Sequence, residues 1–188
     1  MHKDYVNLVR ERLAINFEIE ENGFENGVRY DLIARYFDVS GRIFITPQDI
    51  IDRMESYERC YVKCFDSIGL GDVEEFFQGL CGMVEKLKPG KDHFQTDITG
   101  VMVCAQLPPG IERHVRRLRY DRTFRLYFRG WAEVRLVCVD LSAEKVCANP
   151  PGKELKKVYS VKKQRQSGKR TLLGMLSSWR ERIPGLSS

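Results

Sequence analysis

Metal-ligand spacing is absent from this 188-residue chain. Its six cysteines, at 60, 64, 81, 104, 138 and 147, form no C-x-x-C pair, and its three histidines stand apart at 2, 93 and 114. That excludes the common zinc frameworks and gives no disulfide scaffold. Most of the cysteines lie beside Val, Leu or Met, where a reduced thiol packs as a small hydrophobe, so the expectation is core cysteines. No run approaches the roughly 20 apolar residues of a membrane span, and residues 1–10 lack the apolar stretch of a signal peptide. A cytoplasmic protein is expected. Also missing are the G-x-S-x-G elbow, the G-x-x-x-x-G-K-[ST] loop and G-x-G-x-x-G. Serine hydrolases, P-loop NTPases and dinucleotide-binding enzymes therefore have no support.

What is present divides by charge. Up to Gly152 the chain carries 21 Lys/Arg and 24 Asp/Glu, whereas residues 153–188 carry ten and two. A near-neutral body thus bears a basic tail, which points to an anionic partner, nucleic acid or an anionic membrane surface, with a protein partner also open. With 43% apolar content, residues 1–152 are enough for one α+β globular domain, and 153–188 read as a basic C-terminal extension.

Along the chain, Tyr5, Leu8, Val9 and Leu13 have helical spacing, and Ile15, Phe17 and Ile19 then alternate as in a strand. Two Asn-Gly pairs in ENGFENG predict a reversal into the alternating run 28–37. A second turn is expected at 38–41, and Thr46-Pro47-Gln48-Asp49 reads as a cap opening a short helix that ends near Met54. Residues 57–65 alternate again. Cys60 and Val62 lie on one face with Glu58 and Cys64, and that face is expected to meet the core.

Asp72, with Glu75 three residues on, opens the clearest helix, whose stripe runs Val73, Phe76, Phe77, Leu80, Cys81, Val84 and Leu87. Gly69-Leu70-Gly71 before it resembles an anion-binding turn, but Asp72, Glu74 and Glu75 crowd that end and favour capping. A strand over 94–105, a short helix held by Ile111, Val115 and Leu118, and an alternating strand at 124–128 follow. Gly130 marks a bend, and 136–139, apolar on both faces, predicts a strand in the middle of a sheet. The fold class is α+β, a mixed sheet flanked by helices.

The order helix, three strands, helix, strand over residues 4–105 resembles in outline the restriction-endonuclease-like nucleases. The resemblance implies a divalent metal, magnesium, held by an acid on one strand and an acid-x-Lys pair on the next. Asp31, Glu58 and Lys63 are the residues it offers as catalytic. Glu58 and Lys63 are five residues apart, so a regular strand projects them from opposite faces, and Tyr61 stands where the carboxylate before Lys63 belongs.

Two contact surfaces compete with that reading. Eight arginines fall between 113 and 135; Arg113, Arg116, Arg117, Arg125 and Arg129, with Tyr127 and Trp131, suggest cations and rings for a single-stranded nucleic acid. The bland alternative is a solvated face paired with the body's acids. In the tail, Lys156, Lys157, Lys162 and Lys163 precede Leu172, Leu173, Leu176, Trp179 and Ile183, which share one helical face suited to a membrane surface, a partner or this domain. Finally, GWAEVRLVCVDLSAEKVCANPPGKELKKVY, residues 130–159, resembles segments of a prokaryotic family of uncharacterised proteins. These observations together favour a non-catalytic binding protein, with a nuclease-like enzyme as the alternative.

Overall fold

The computed structural model describes residues 1–43, 50–125 and 129–162. Its elements are α1 (His2–Leu13), β1 (Glu18–Glu21), β2 (Phe24–Glu25), β3 (Val28–Arg29), β4 (Leu32–Ile43), β5 (Ile50–Phe65), α2 (Leu70–Glu85), β6 (His93–Cys104), α3 (Ile111–Val115), β7 (Asp121–Thr123), β8 (Trp131–Asp140) and β9 (Lys145–Ala148), closed by a 3-10 helix, Lys153–Lys157. β2 and β3 form a small separate hairpin whose turn, Asn26-Gly27, has the positive φ that its sequence favours.

Seven strands make one mixed sheet in the order β1-β4-β5-β6-β8-β7, with β9 on β8. β1, β4 and β5 run antiparallel, β5, β6 and β8 run parallel, and β7 and β9 pair antiparallel with opposite ends of β8. Parallel neighbours need long connections, and α2 and α3 lie in the two that are needed. The chain is thus an α+β domain with a mixed sheet and helices, as its pattern predicts.

Both faces of the sheet are covered. Ile33, Tyr61, Ile98, Met102, Val134 and Leu136 form one core with Val73, Phe76, Leu80 and Val84 of α2. Leu32, Cys60, Val62, Val101, Val137 and Val139 form the other with Tyr5, Val9 and Leu13 of α1. The expectation of a single core face on 57–65 is therefore half of the arrangement, since Tyr61 on the opposite face is fully buried too. Gly100 lets α2 sit directly on β6, because a Cβ there would enter the Leu80 side chain and come within 2.6 Å of Phe76 Cε1. Gly130 has φ +69 and lies against the Phe94 backbone, which leaves no room for a side chain.

Four local expectations give way to tertiary pairing. The turn at 38–41 is strand, because Asp38 to Gly41 pair residue by residue with Ser56 to Arg53 of β5. The helix ending near Met54 is replaced by the start of β5 at Ile50, where the same ladder satisfies the backbone; the cap signal at 46–49 lies outside the described residues. Of the strand expected at 124–128, Phe124 and Arg125 follow the short β7 as a bend and turn in which Arg125 has φ 47; Leu126, Tyr127 and Phe128 lie outside the described residues. The strand at 15–19 begins only at Glu18, Ile15 being exposed in the preceding turn.

Packing continues past Gly152. Asn149 accepts from the Leu136 and Gly152 amides and donates to the Val134 carbonyl, at 2.9, 3.0 and 3.0 Å, fixing the turn through Pro150-Pro151. Leu155 and Tyr159 are buried in the α1 core. Tyr5 Oη donates to the Tyr159 carbonyl at 2.7 Å, and Arg12 donates to the Val158, Ser160 and Lys162 carbonyls. No helix among the described residues is long and apolar enough to cross a membrane.

Candidate functional site

Two places in the fold concentrate chemistry. The first is a buried charged row on the α1 face of the sheet. Register pairs Glu58 of β5 with Asp97 of β6, and Asp97 with Glu133 of β8. Arg135, one step along β8 on the same face, binds Asp97 Oδ2 and Glu133 Oε1 at 2.7 Å each and reaches Glu58 Oε1 at 3.9 Å. All four are buried. Gln95 Nε2 donates to both Asp97 oxygens, at 2.7 and 2.8 Å.

Burial pushes the Glu58 carboxyl up to about 7; Arg135 opposes that shift, while the Asp97 and Glu133 charges add to it. Burial also raises Asp97 and Glu133 against the pull of Arg135. For Arg135 burial disfavours the cation, but the three carboxylates outweigh it and hold the guanidinium protonated. Glu58 Oε2 and the hydroxyl of nearby Thr99 have no hydrogen-bond partner.

The second place is a cavity of about 450 Å³ on the α2 face, between the β2–β3 hairpin, the end of α2 and strands β5 and β6. Tyr57, Arg59, Lys86, Lys88, His93 and Thr96 are among its lining residues. A row of rings crosses the sheet beside it. Phe37 of β4 meets Tyr57 of β5 at 4.8 Å between centroids, Tyr57 stacks on His93 of β6 at 6.1 Å, and His93 meets Phe124 edge-on at 5.7 Å. Arg122 lies 5.3 Å from the Phe124 ring centroid and donates to the Glu85 carbonyl at the end of α2.

His93 is fixed at both ring nitrogens, by the Arg129 carbonyl at 2.7 Å and Thr96 Oγ1 at 2.8 Å. The acids of the cavity already have partners: Glu25 binds Arg35, Arg59 and Tyr61, and Glu55 accepts from Tyr57. Lys86 meets the neutral amide oxygen of Asn26 at 3.4 Å. Phe37 is 50% exposed and presents ring surface to solvent.

The three residues offered as catalytic are not brought together. Asp31 accepts from the Cys64 amide at 2.7 Å, at the far end of the β4–β5 ladder from Glu58. Tyr36 is the register partner of Glu58, so Asp31 is five residues, roughly 16 Å, along the strand. Lys63 projects from the other face, its ammonium 5.3 Å from the Phe65 ring. Among the described residues no group of three or more His, Cys, Asp and Glu side chains converges as a metal site. In the acidic row the guanidinium of Arg135 stands where a cation would, so these residues do not fit the magnesium of the nuclease outline.

The arginine stripe is dispersed as well. Arg113, Arg116, Arg117 and Arg125 are exposed, Arg129 is half-buried and donates to the Pro89 carbonyl, and Arg135 is internal. Arg116 pairs with Glu112, which also takes Lys145. Trp131 packs edge-on against Phe94 at 4.7 Å. Of the tail cations, Lys156 is half-buried, Lys157 is exposed, and Lys162 reaches Glu144 at 3.5 Å. Lys163 and Trp179, like Tyr127, lie outside the described residues.

A domain family of unknown function, DUF8052, matches residues 1–161. The chain belongs to that family. No curated protein and no solved structure matches it. The matched span runs through the 3-10 helix and Tyr159, so the DUF8052 domain includes the segment that covers α1.

Sequence reasoning missed both places. Arg135 carried a usable signal, because a charge inside a strand that is apolar on both faces has to be paired. The ring row carried none, since two of its three strands, β4 and β5, were obscured in part by turn and helix signals at 38–54.

Proposed function

We propose that this domain binds single-stranded nucleic acid along the ring row and the adjoining cavity, with the basic C-terminal segment adding sequence-independent attraction. The observation that carries the reading is a row of rings across β4, β5 and β6, in which exposed Phe37 and half-buried Tyr57 are backed by the buried rings of His93 and Phe124, beside a cavity rimmed by Arg59, Lys86 and Lys88. Aromatic faces accept bases of any sequence, and cations follow the phosphates; the combination is the usual platform for single strands. The pairing of Glu25 with Arg35 and Arg59 lessens the repulsion that this acid would otherwise exert on a phosphate.

The notion of cations interleaved with rings thus moves from Tyr127 and Trp131 to Phe37 and Tyr57. A membrane surface or a protein partner would use the tail without the ring row, which separates the readings. The test is anisotropy of a labelled single-stranded oligonucleotide with the full chain across a salt series, set beside anionic vesicles. Binding should fall steeply with salt, and Phe37→Ala, at a half-exposed site, should weaken it by the loss of one stacked base, about 1–3 kcal/mol or roughly five- to a hundred-fold. Equal affinity of Phe37→Ala and the natural chain, or binding to vesicles alone, would overturn the proposal.

A further inference from the structure

Cys138 of β8 and Cys147 of β9 are direct register partners on antiparallel strands. Both side chains are buried in the α2 core. Residues directly opposite in an antiparallel pair lie about 4.5–5.5 Å apart at Cα, within the roughly 4.4–6.8 Å that a disulfide spans. All six cysteines are free in the structure, but only this pair among the described residues stands opposite across a strand ladder. We infer that Cys138 and Cys147 form a redox-active dithiol, a modification site that low-molecular-weight disulfides convert to a cross-strand disulfide.

The two sulfurs are not equivalent. Each thiol shifts the other: Cys138 holds the Cys147 thiol below its usual pKa, and Cys147 raises that of Cys138. Lys156 and Lys145 favour the Cys147 thiolate further, against burial and the Glu112 charge. Cys147 lies on the edge strand β9 and Cys138 on the internal strand β8, and with the lowered pKa Cys147 is the attacking sulfur and Cys138 the resolving one. Access comes through β9, a four-residue strand that pairs with β8 alone; its release leaves the other strand pairs of the sheet intact, the kind of local opening that short edge strands undergo.

In the first step the Cys147 thiolate attacks one sulfur of the oxidant R–S–S–R. The oxidant's bond breaks, a Cys147 mixed disulfide forms and RS⁻ leaves. Cys138 then gives up its proton, and its sulfur attacks Cys147, displacing the second RS⁻. The protein loses two protons and two electrons, and the oxidant leaves as two RSH. The new bond fixes β9, and with it the turn at Asn149 into the 3-10 helix Lys153–Lys157.

The test uses the full reduced chain and oxidised glutathione, followed by alkylation and trypsin. Cleavage at Lys145 separates the two cysteines, placing Cys138 on peptide 136–145 and Cys147 on 146–153. The expected product is these two peptides joined, about 2 Da lighter than their sum, with loss of two of the six thiols. Cys138→Ser should instead stop at the glutathione adduct on Cys147, while Cys147→Ser should leave Cys138 unmodified at the same oxidant concentration. A linkage involving Cys104, which also borders the pair, or exclusive modification of the half-exposed Cys64, would overturn the inference. So would the absence of a 138–147 link in the natural chain, a result that does not depend on how the variants fold.

Discussion

Three carboxylates around one guanidinium leave the row Glu58, Asp97 and Glu133 with an excess of negative charge if all ionise, and Glu58 is the member whose Oε2 has no partner. Its pKa of about 7, raised chiefly by burial, exceeds the roughly 4.3 of an unfolded glutamate. The folded state therefore holds a proton that the unfolded chain releases. That contribution is fully present on the acid side of about 4.3 and is lost as pH rises through about 7, an effect on the order of 3 kcal/mol. Glu58→Gln, neutral at every pH and nearly isosteric, should flatten this slope and leave the variant more stable than the natural chain at pH 8. Urea unfolding at pH 5 and pH 8 measures it, and equal slopes for the two proteins would remove Glu58 as the cause. Arg135 is the opposite case. Arg135→Met strips the counter-charge from Asp97 and Glu133, and the expected loss is about 3–5 kcal/mol, larger at pH 8 than at pH 5 because protonation relieves the unpaired buried acids.

Among the elements, α2 and β6 form the contact with least tolerance, because Gly100 lies directly beneath Leu80 and Phe76. Gly100→Ala should cost about 1–3 kcal/mol by overpacking; thermal unfolding of that variant, and partial rescue by Leu80→Ala, would place the strain there, whereas no loss would show that the helix shifts freely. Both elements were legible in the sequence, α2 from the stripe Val73 to Val84 and β6 from an apolar run of strand length. So was β8, whose segment 136–139 is apolar on both faces and proves buried inside the sheet, between β6 and the short strands β7 and β9. The β4–β5 ladder was not. Asp38, Ser40 and Gly41 are turn residues by local preference, yet each has a partner on β5, and long-range pairing outweighs a local preference of this size. The same failure hid the ring row, since Phe37 and Tyr57 become neighbours only when that ladder is continuous. The acidic row failed for another reason. Its members lie on β5, β6 and β8, and nothing local in a sequence reports which strands will be adjacent.

At the scale of the whole molecule, the change in charge at Gly152 does not coincide with an end of packing. Leu155 and Tyr159 fill the core over α1, and Arg12 holds three carbonyls between Val158 and Lys162. Basic residues from Lys153 to Lys162 are thus fixed on the domain, whereas Lys163, Arg165, Lys169, Arg170, Arg180 and Arg182 follow it. Ending the chain after Lys162 retains Leu155 and Tyr159 in the core. Ending it after Gly152 deletes two buried side chains, each worth about 1.5–3 kcal/mol, and should lower the unfolding midpoint by roughly 10 °C or more. Nucleic-acid binding divides differently. Each phosphate neutralised by a cation contributes about 0.7 to the slope of log affinity against log salt for a single strand. Removing the six cations after Lys162 should therefore shallow that slope while retaining the loss caused by Phe37→Ala, because the rings belong to the folded domain. A 1–162 chain whose salt slope equals that of the full chain would assign all phosphate contacts to the cavity rim and none to the tail. Loss of all binding in that chain would do the reverse and take the ring row out of the interface.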